Sequence, residues 1–192
     1  MFIGEEPKTL EECFERLKKG CQKLSDECEY SDDYSVFNEP ATEDEIKRYD
    51  ENNNIVLPED YKKFLRFSNG AKIMENCMTI YGLGRCGFSD EMVPENYFVI
   101  GEEVGDGERI AFDPETKEIF SFYNGKITPW LINNEMKNLV DNCEGCIWES
   151  EWKKEKEKKR KMGITPEQER KELHDEIASL YKEMMKRKCR EE

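Results

Sequence analysis

Residues 41–70 read ATEDEIKRYDENNNIVLPEDYKKFLRFSNG, and this stretch decides the fold of the chain. Its pattern predicts two short helices joined by an extended elbow. Thr42 is placed to cap the first helix, and Glu45 lies three residues on, where it completes a capping box. Pro58 sets the backbone for the first turn of the second helix, which stops at Gly70. The stretch therefore predicts a helix pair with well-defined ends.

The second of these helices carries an apolar face made by Tyr61, Phe64 and Leu65 at helical spacing. As a string, the segment resembles the SUKH superfamily, in which a helix opening Thr-Glu-x-Glu-Ile precedes a Leu-Pro-x-x-Tyr-x-x-Phe-Leu helix ending at Asn-Gly. That family includes bacterial immunity proteins that neutralise polymorphic toxins, and a fungal cell-wall regulator. The matching residues are Thr42, Glu43, Glu45, Ile46, Leu57, Pro58, Tyr61, Phe64, Leu65, Asn69 and Gly70.

The resemblance covers roughly residues 8–150, because the segments after the helix pair also look like the central sheet of that family. There it rests on residues 110–113 (IAFD), on the Ile-Phe pair that follows, and on a turn into Trp130. The resemblance implies a SUKH-like α+β domain at 1–150, with an antiparallel meander sheet flanked by helices. Residues 151–192 exceed the usual length of the family, and we expect them to form a separate charged helical extension.

The chain after residue 70 predicts short strands joined by tight turns. Asn124-Gly125 favours a type I′ hairpin, because both central residues of that turn need positive φ. Connections this short require antiparallel neighbours. The predicted strands are a short run at 78–83, then 97–104, 109–113, 119–123 and 126–130; helices are predicted to begin at Thr9 and Ile132, and residues 29–40 are predicted to be a loop.

Charge is spread unevenly along the chain. The net charge is −14, and 39% of the residues are charged, against about 25% in ordinary globular domains. Residues 1–150 carry 16 basic and 33 acidic side chains, a net of −17, whereas residues 151–192 carry a net of +3. An acidic body repels nucleic acid; it either attracts a basic protein or simply keeps the chain soluble. We therefore expect a protein partner and no nucleic acid.

The sequence shows no membrane segment. No apolar run approaches the roughly 20 residues that span a bilayer. The first residues, MFIGEEPK, are acidic and have neither a basic region nor an apolar h-region of the kind found in secretory signals. A cytoplasmic protein without a membrane partner is expected.

The sequence offers no recognisable catalytic group. Nucleophilic catalysis normally needs a base such as histidine, and the single histidine, His174, lies in the charged extension. Cys143 and Cys146 form an isolated Cys-x-x-Cys pair, whereas a zinc site needs about four ligands. Core packing of these cysteines is the favoured interpretation, and a small metal or redox protein is the alternative. We therefore predict no enzyme activity, no metal and no cofactor.

The extension has two parts. Residues 153–161 (KKEKEKKRK) contain no apolar side chain and are helical only with solvent around them. A second helix is predicted to restart at Thr165, with Gln168 completing its capping box. Two interpretations stay open: a helical hairpin packed on the Trp-containing end of the preceding helix, or self-association through residues 166–189. The apolar stripe behind both is Leu173, Ile177, Leu180 and Met184, which has heptad-like spacing.

Protein binding without catalysis is the function that these observations favour. We predict an immunity protein that binds and neutralises a cognate polymorphic toxin, with nucleases among the candidate toxins, since hot spots of interfaces favour Tyr, Trp and Arg. The alternative is a regulatory scaffold that engages its partner through the helical extension. The candidate partner-binding residues are Tyr81, Asp90, Glu91, Tyr97, Glu102, Glu103, Asp106, Glu108 and Trp130, although core packing is an equal interpretation for the three aromatic ones.

Overall fold

The structure is a computed structural model, and it describes residues 5–27, 34–75, 77–87, 90–103, 107–165, 167, 168, 170, 171 and 174. This part of the chain has the α+β fold that the sequence predicts, with four helices and one seven-stranded antiparallel sheet. The helices are α1 (Leu10–Glu27), α2 (Glu43–Asn53), α3 (Glu59–Phe67) and α4 (Ile132–Lys161). The strands are β1 (Val36–Phe37), β2 (Ala71–Ile73), β3 (Met78–Ile80), β4 (Phe98–Glu103), β5 (Glu108–Phe112), β6 (Ile119–Tyr123) and β7 (Lys126–Pro129).

The helix pair forms as predicted, and side chains hold the ends of α2. The Thr42 hydroxyl accepts from the Glu45 amide at 3.3 Å, and the Glu45 carboxylate accepts from the Thr42 amide at 2.8 Å. This is the capping box that the sequence predicts, and a cap of this kind contributes about 1 kcal/mol. At the other end, Asn54 adopts the left-handed region with φ of 50° and stops the helix.

The elbow between α2 and α3 is tied by the carboxylate of Asp50. One of its oxygens accepts from the Leu57 amide at 3.0 Å, and the other accepts from the Lys62 ammonium at 2.6 Å. Asp50 lies on α2 and Lys62 on α3, so a single side chain links both helices and the segment between them. The angle of the helix pair therefore depends on a partly buried ion pair as well as on apolar packing.

The sheet is a meander in which each strand pairs with the next one along the chain. Strands β3 to β7 confirm the predicted strands, with ends that differ by at most three residues. The predicted loop at 29–40 is wrong in part, because Val36 and Phe37 form β1 against Lys72 and Ala71. Strand β2 was not predicted at all. A strand of two or three residues carries almost no alternation signal, so its formation depends on pairing with β3 rather than on local sequence.

An Asn-Gly turn forms the last hairpin, and a proline lies on the outer edge strand of the sheet. Asn124 and Gly125 have φ of 47° and 74°, as the type I′ turn requires. The Trp130 amide donates to the Ile119 carbonyl, and hydrogen-bonded pairs alternate along an antiparallel ladder. By this alternation Pro129 turns its backbone toward the open edge, where it offers no N–H. The edge strand β7 is thus a poor template for a further strand.

The helices pack on one face of the sheet and form the main core. Phe14 lies at its centre: its ring centroid is 5.5 Å from that of Phe64 in edge-to-face geometry, and 5.2 Å from that of Phe67 in a stacked geometry. Such pairs add about 0.5–1.5 kcal/mol each beyond the area they bury. The apolar stripe of α1 is buried in this core, and its members are Leu10, Cys13, Phe14, Leu17, Cys21 and Leu24.

The chain leaves β3 through a tight crossing at Gly82. A Cβ atom on Gly82 would lie 2.2 Å from the carbonyl oxygen of Asn69, and one on Gly70 would lie 2.6 Å from the Gly82 nitrogen. The Asn69 side chain closes the crossing by accepting from the Leu83 amide at 2.8 Å. Glycine at position 82 is therefore required by close backbone approach, and the Asn-Gly end of the helix motif has a second role beyond stopping α3.

The structure divides into two compact units, Met1–Trp148 and Glu149–Glu192. In the second unit, Lys153 pairs with Glu149 at 2.7 Å, and the Thr165–Gln168 capping box forms in both directions. The predicted stripe at 173–184 lies outside the described residues. The predicted domain boundary at residue 150 stays a prediction. In the described part of the chain, no helix is long and apolar enough to cross a membrane.

Replacing Gly82 by alanine should destabilise the protein, because the new methyl group would collide with backbone rather than with a movable side chain. We expect Gly82→Ala to lower the free energy of unfolding by about 1–3 kcal/mol, as overpacking does. The matched control is Gly84→Ala, two residues along, where a Cβ meets nothing within 4 Å. It should change stability by less than about 1 kcal/mol. Urea unfolding followed by circular dichroism measures both, and equal losses would contradict the crossing described above.

Candidate functional site

The sheet face that the helices leave uncovered carries a row of polar side chains. Lys72, Thr79, Glu102 and Arg109 stand directly opposite one another on β2 to β5. Directly opposite residues of antiparallel strands lie on the same side of the sheet, so these four side chains share one face. We call it the loop face, because residues 81–97 fold over part of it. The whole row, from β1 to β7, is Val36, Lys72, Thr79, Glu102, Arg109, Phe122 and Ile127.

A small apolar cluster fixes residues 81–97 to the loop face. Tyr81 and Val93 belong to this segment and pack with Phe122 of the sheet. The Tyr97 ring meets Phe122 edge-to-face, with 4.9 Å between the ring centroids. The main core covers the helix side of the sheet and this cluster covers part of the loop face, so the central strands are buried on both faces. Its other members are Val99 and Ala111, with the partly buried Cys86 and Phe120 against them.

Two arginines organise the charges beside this cluster. Arg109 Nε donates to Asp90 at 2.6 Å, and Arg109 Nη1 lies 3.4 Å from Glu102. Arg85 Nη2 donates to the other oxygen of Glu102 at 3.2 Å, and its guanidinium carbon lies 4.1 Å from the centroid of the Tyr81 ring. Glu102 is thus shared by two guanidinium groups, and Arg109 is shared by two carboxylates. The four charges alternate and cancel.

The network shifts the ionisation of its members. Burial alone would raise the pKa of Asp90, but hydrogen bonds from the Arg109 guanidinium and the Met92 amide more than offset it, so this pKa lies below its ordinary value. The hydrogen bond to Asp90 raises the pKa of Arg109. Burial raises the pKa of Tyr81, and the nearby Glu102 adds to the effect. At neutral pH Asp90 and Arg109 are therefore charged, and the Tyr81 hydroxyl beside them is neutral.

Two tyrosines of the helix pair anchor this segment from the opposite side. The hydroxyl of Tyr61, a fully buried residue, donates to the Tyr81 carbonyl at 2.5 Å. The hydroxyl of Tyr49 donates to the Cys86 carbonyl at 2.8 Å. Burial raises the pKa of both tyrosines, so both hydroxyls remain donors at neutral pH. The helix motif thus holds the chain on either side of Arg85.

Beyond Tyr81 and Arg85, the loop face stays open. The opening is a groove of about 440 Å³ that reaches over β1, β2 and β3, and we call it the β1–β3 groove. Val36 and Lys72 line it from the first two strands, and Thr79 lines it from β3. The groove and the arginine network are neighbours, because Tyr81 and Arg85 belong to both. Together they form the candidate functional site.

The structure brings four of the nine predicted partner-binding residues together on the loop face. Glu102 and Asp90 are held by the arginines, while Tyr81 and Tyr97 contribute to the apolar cluster. Glu91, next to Asp90, is exposed. Both carboxylates of the network are neutralised by arginine, so this region is less acidic than the sequence suggested. Contact of these residues with a partner stays a prediction.

Three other predicted residues lie on the helix side of the sheet. Trp130 is 6% exposed and belongs to the main core, and its Nε1 donates to Glu103 at 3.0 Å. Burial raises the pKa of Glu103. Glu108 stands directly opposite Glu103 and shares its side. Adjacent strand residues point to opposite faces, which separates this group from Glu102, and their role in binding stays a prediction. The ninth predicted residue, Asp106, lies outside the described residues.

Sequence reasoning missed the basic half of the site. The acidic balance of the whole chain favours acidic contact residues, so it does not point to Arg85, Arg109 or Lys72. One signal was present: only four residues separate β4 from β5, which predicts that Arg109 lies near Glu102 on the neighbouring antiparallel strand. No comparable signal exists for Arg85, whose place depends on the crossing at Gly82.

The cysteines of the predicted Cys-x-x-Cys pair lie in α4. Cys143 is buried in the main core against α1, where a Cβ atom on Gly20 would lie 2.6 Å from its sulfur. A hydrogen bond with Cys21 and burial raise the pKa of the Cys143 thiol. Cys146 is partly buried beside them. Among the residues that the structure describes, no group of three or more His, Cys, Asp or Glu side chains is placed to hold a metal ion.

These features define an α+β domain in which a capped helix pair packs on a meander sheet and positions a segment on its far face. The model of the SMI1 / KNR4 family (SUKH-1) matches residues 40–145, which is more than half of the chain. The chain therefore belongs to this family, and the resemblance seen in the sequence is confirmed. A comparison with curated proteins gives no match. Proteins of this family are generally non-enzymatic immunity proteins or regulators, and the fold is consistent with a role in protein interaction.

The Asp90–Arg109 pair makes stability depend on pH. Because the pKa of Asp90 is depressed in the folded state, its stabilisation is present above the unfolded pKa of about 3.9 and is lost as the pH falls through the folded value. At pH 7, Asp90→Asn should lower the free energy of unfolding by about 1.5–3 kcal/mol, the range for hydrogen bonds to charged groups. The difference from the wild type should shrink below about pH 4.

The control for this experiment is Glu91→Gln, which removes the neighbouring, exposed carboxylate. It should change stability by less than about 0.5 kcal/mol at every pH. Urea unfolding of both variants at pH 7, 5 and 3 gives the comparison. If the two substitutions cost the same at pH 7, the Arg109 pair does not stabilise the loop face.

Proposed function

We propose that this chain is a non-enzymatic, cytoplasmic immunity protein that binds a toxin domain and blocks it by covering it. Membership of the family supports this proposal. The observation that carries it is the loop face: a pre-formed arginine–carboxylate network beside an open groove, anchored by hydrogen bonds from Tyr61 and Tyr49. Such a surface suits recognition, since it needs little ordering when a partner binds. Nucleases are among the toxins that this proposal covers.

Arg85 is the residue that we expect to contribute most to binding. Its side chain is 58% exposed, yet its orientation is set by Glu102 and by the Tyr81 ring. Arg and Tyr dominate interface hot spots because they combine a large contact area with directional hydrogen bonds. A pre-oriented arginine also loses less side-chain entropy on binding than a free one. We therefore propose an interface at the border between the network and the β1–β3 groove.

A regulatory scaffold is the second candidate, and the extension supplies the observation in its favour. Trp152 is 48% exposed and Met162 is 68% exposed within a segment of mainly charged residues. The ammonium of Lys156 lies 4.7 Å from the centroid of the Trp152 ring. Exposed apolar side chains on a charged helix are typical of helix-in-groove recognition. A scaffold of this kind would bind its partner through residues 151–192 and not through the loop face.

Where a neighbouring reading frame encodes a toxin domain, Arg85→Ala should weaken binding of that domain. We expect a loss of at least about 2 kcal/mol, or roughly thirtyfold in Kd, and a matching loss of protection when both proteins are co-expressed. The control is Arg48→Ala on α2, an exposed arginine whose Nε donates to the Asp44 carbonyl within its own helix. Titration calorimetry measures both affinities. If the wild-type chain neither binds nor protects, the immunity proposal fails; equal losses in both variants would move the interface elsewhere.

Deleting residues 151–192 separates the two candidate functions. An immunity protein that uses the loop face should retain its affinity for the toxin and its protection within about threefold, because a change below about 0.7 kcal/mol is expected when no contact is lost. A scaffold should lose its partner altogether. Circular dichroism of the shortened chain establishes that residues 1–150 are folded before binding is compared. Loss of protection by a folded shortened chain would favour the scaffold.

A further inference from the structure

The β1–β3 groove differs in charge from the rest of this acidic protein. We propose that it takes an acidic segment of the partner protein, with a carboxylate bound between Lys72 and Arg85. This inference rests on the proposed function, because it specifies what the loop face recognises. Of the described residues that line the groove, two are cationic and none is acidic. Residues 1–150 nevertheless carry a net charge of −17, so a groove of this composition departs from the average of the chain.

The N–H groups of Lys72 and Arg85 in the groove are available to donate to a ligand carboxylate. Lys72 is exposed in the middle of β2 and has no ion-pair partner among the described residues. Arg85 contacts Glu102 and the Tyr81 hydroxyl through Nη2 only. A guanidinium group has five N–H donors in a fixed plane, so its Nε and Nη1 remain for another acceptor. The Glu102 carboxylate does not block them, because its second oxygen lies 3.4 Å from Arg109.

The groove also has an apolar side, which favours a peptide over a free ion. Val36 is 41% exposed on β1 and lines the groove with an apolar side chain. Ala71 and Ile80 turn their side chains to the main core and line the groove with backbone. A volume of about 440 Å³ lies within the range of small-ligand sites, about 300–1,000 Å³. Gly84 adds open space, since a Cβ atom there would meet nothing within 4 Å. An acidic side chain next to an apolar one matches this combination.

The acidic body and the basic groove have complementary roles in this proposal. Long-range attraction by a net charge of −17 favours partners that are basic overall and speeds their encounter. A groove that needs a carboxylate then selects, among basic partners, those that present an acidic segment at the correct place. Specificity arises here because a partner without that carboxylate leaves Lys72, and the Nε and Nη1 donors of Arg85, without a partner-supplied acceptor.

Nuclear magnetic resonance of the full-length ¹⁵N-labelled chain tests the proposal with two defined peptides. The first is acetyl-Asp-Tyr-Glu-amide and the second is acetyl-Lys-Tyr-Lys-amide, and sodium chloride at equal ionic strength serves as the blank. We expect the acidic peptide to shift the backbone amides of residues 70–72 and 79–85, with saturation. The basic peptide and the salt should leave these amides in place. Absence of localised shifts with the acidic peptide, or equal shifts with both peptides, would overturn the proposal.

Two charge reversals provide the matched comparison. Lys72→Glu should weaken binding of the acidic peptide at least tenfold, whereas Lys126→Glu, the same change on the exposed edge strand β7, should leave it within twofold. Equal weakening by both would show that only net charge matters, and the groove would lose its assigned role. Protection against the toxin is measured separately by co-expression. Protection by a wild-type chain that does not bind the acidic peptide overturns the groove proposal alone, whereas failure of the wild type to protect overturns the proposed function.

Discussion

One hydrogen bond connects the two sides of this domain. Tyr61 belongs to the helix motif that decides the fold, and its hydroxyl reaches through the main core to the carbonyl of Tyr81. Leaving such a buried acceptor without a partner costs about 1–3 kcal/mol. Because Tyr81 is followed at once by the Gly82 crossing, this contact sets where the chain passes to the loop face. The place of Arg85, and with it the groove, follows from a residue that lies on the opposite side of the sheet.

Charge in this protein has to be considered at two distances. At long range, residues 1–150 act through their net negative charge, which governs solubility and encounter rates. At contact distance, the loop face pairs its carboxylates with arginines so that the network is neutral. The described lining of the groove beside it adds the positive charge of Lys72 and no carboxylate. The contacts of an interface depend on the local charges of the loop face. The net charge of residues 1–150 acts only over a short range, because the Debye length is about 8 Å at physiological salt.

The sequence predicts most of this fold for identifiable physical reasons. The helix pair is marked by a capping box and a proline, and the last hairpin by Asn124-Gly125, whose backbone demands leave few alternatives. Strand β1 was missed because two residues carry no periodic signal and depend on an edge supplied by β2. The candidate site was predicted only in part. Glu102 and Glu103 are neighbours on β4 and therefore point to opposite faces of the sheet. Which of them lies on the loop face is known only once the pairing of β4 with β5 is known. Lys72 and Arg85 come together through the crossing at Gly82, which is a tertiary feature.

The proline at the end of β7 has a consequence for the behaviour of the whole molecule in a crowded solution. A folded sheet that presents unpaired amides along its rim can seed fibres by recruiting other chains, and seven strands in one sheet would otherwise make this a recurrent hazard. Here one end finishes in a two-residue strand, and at the other Pro129 removes one of the outward N–H donors that an added strand would need. Both ends of the sheet therefore disfavour the edge-to-edge addition of further chains.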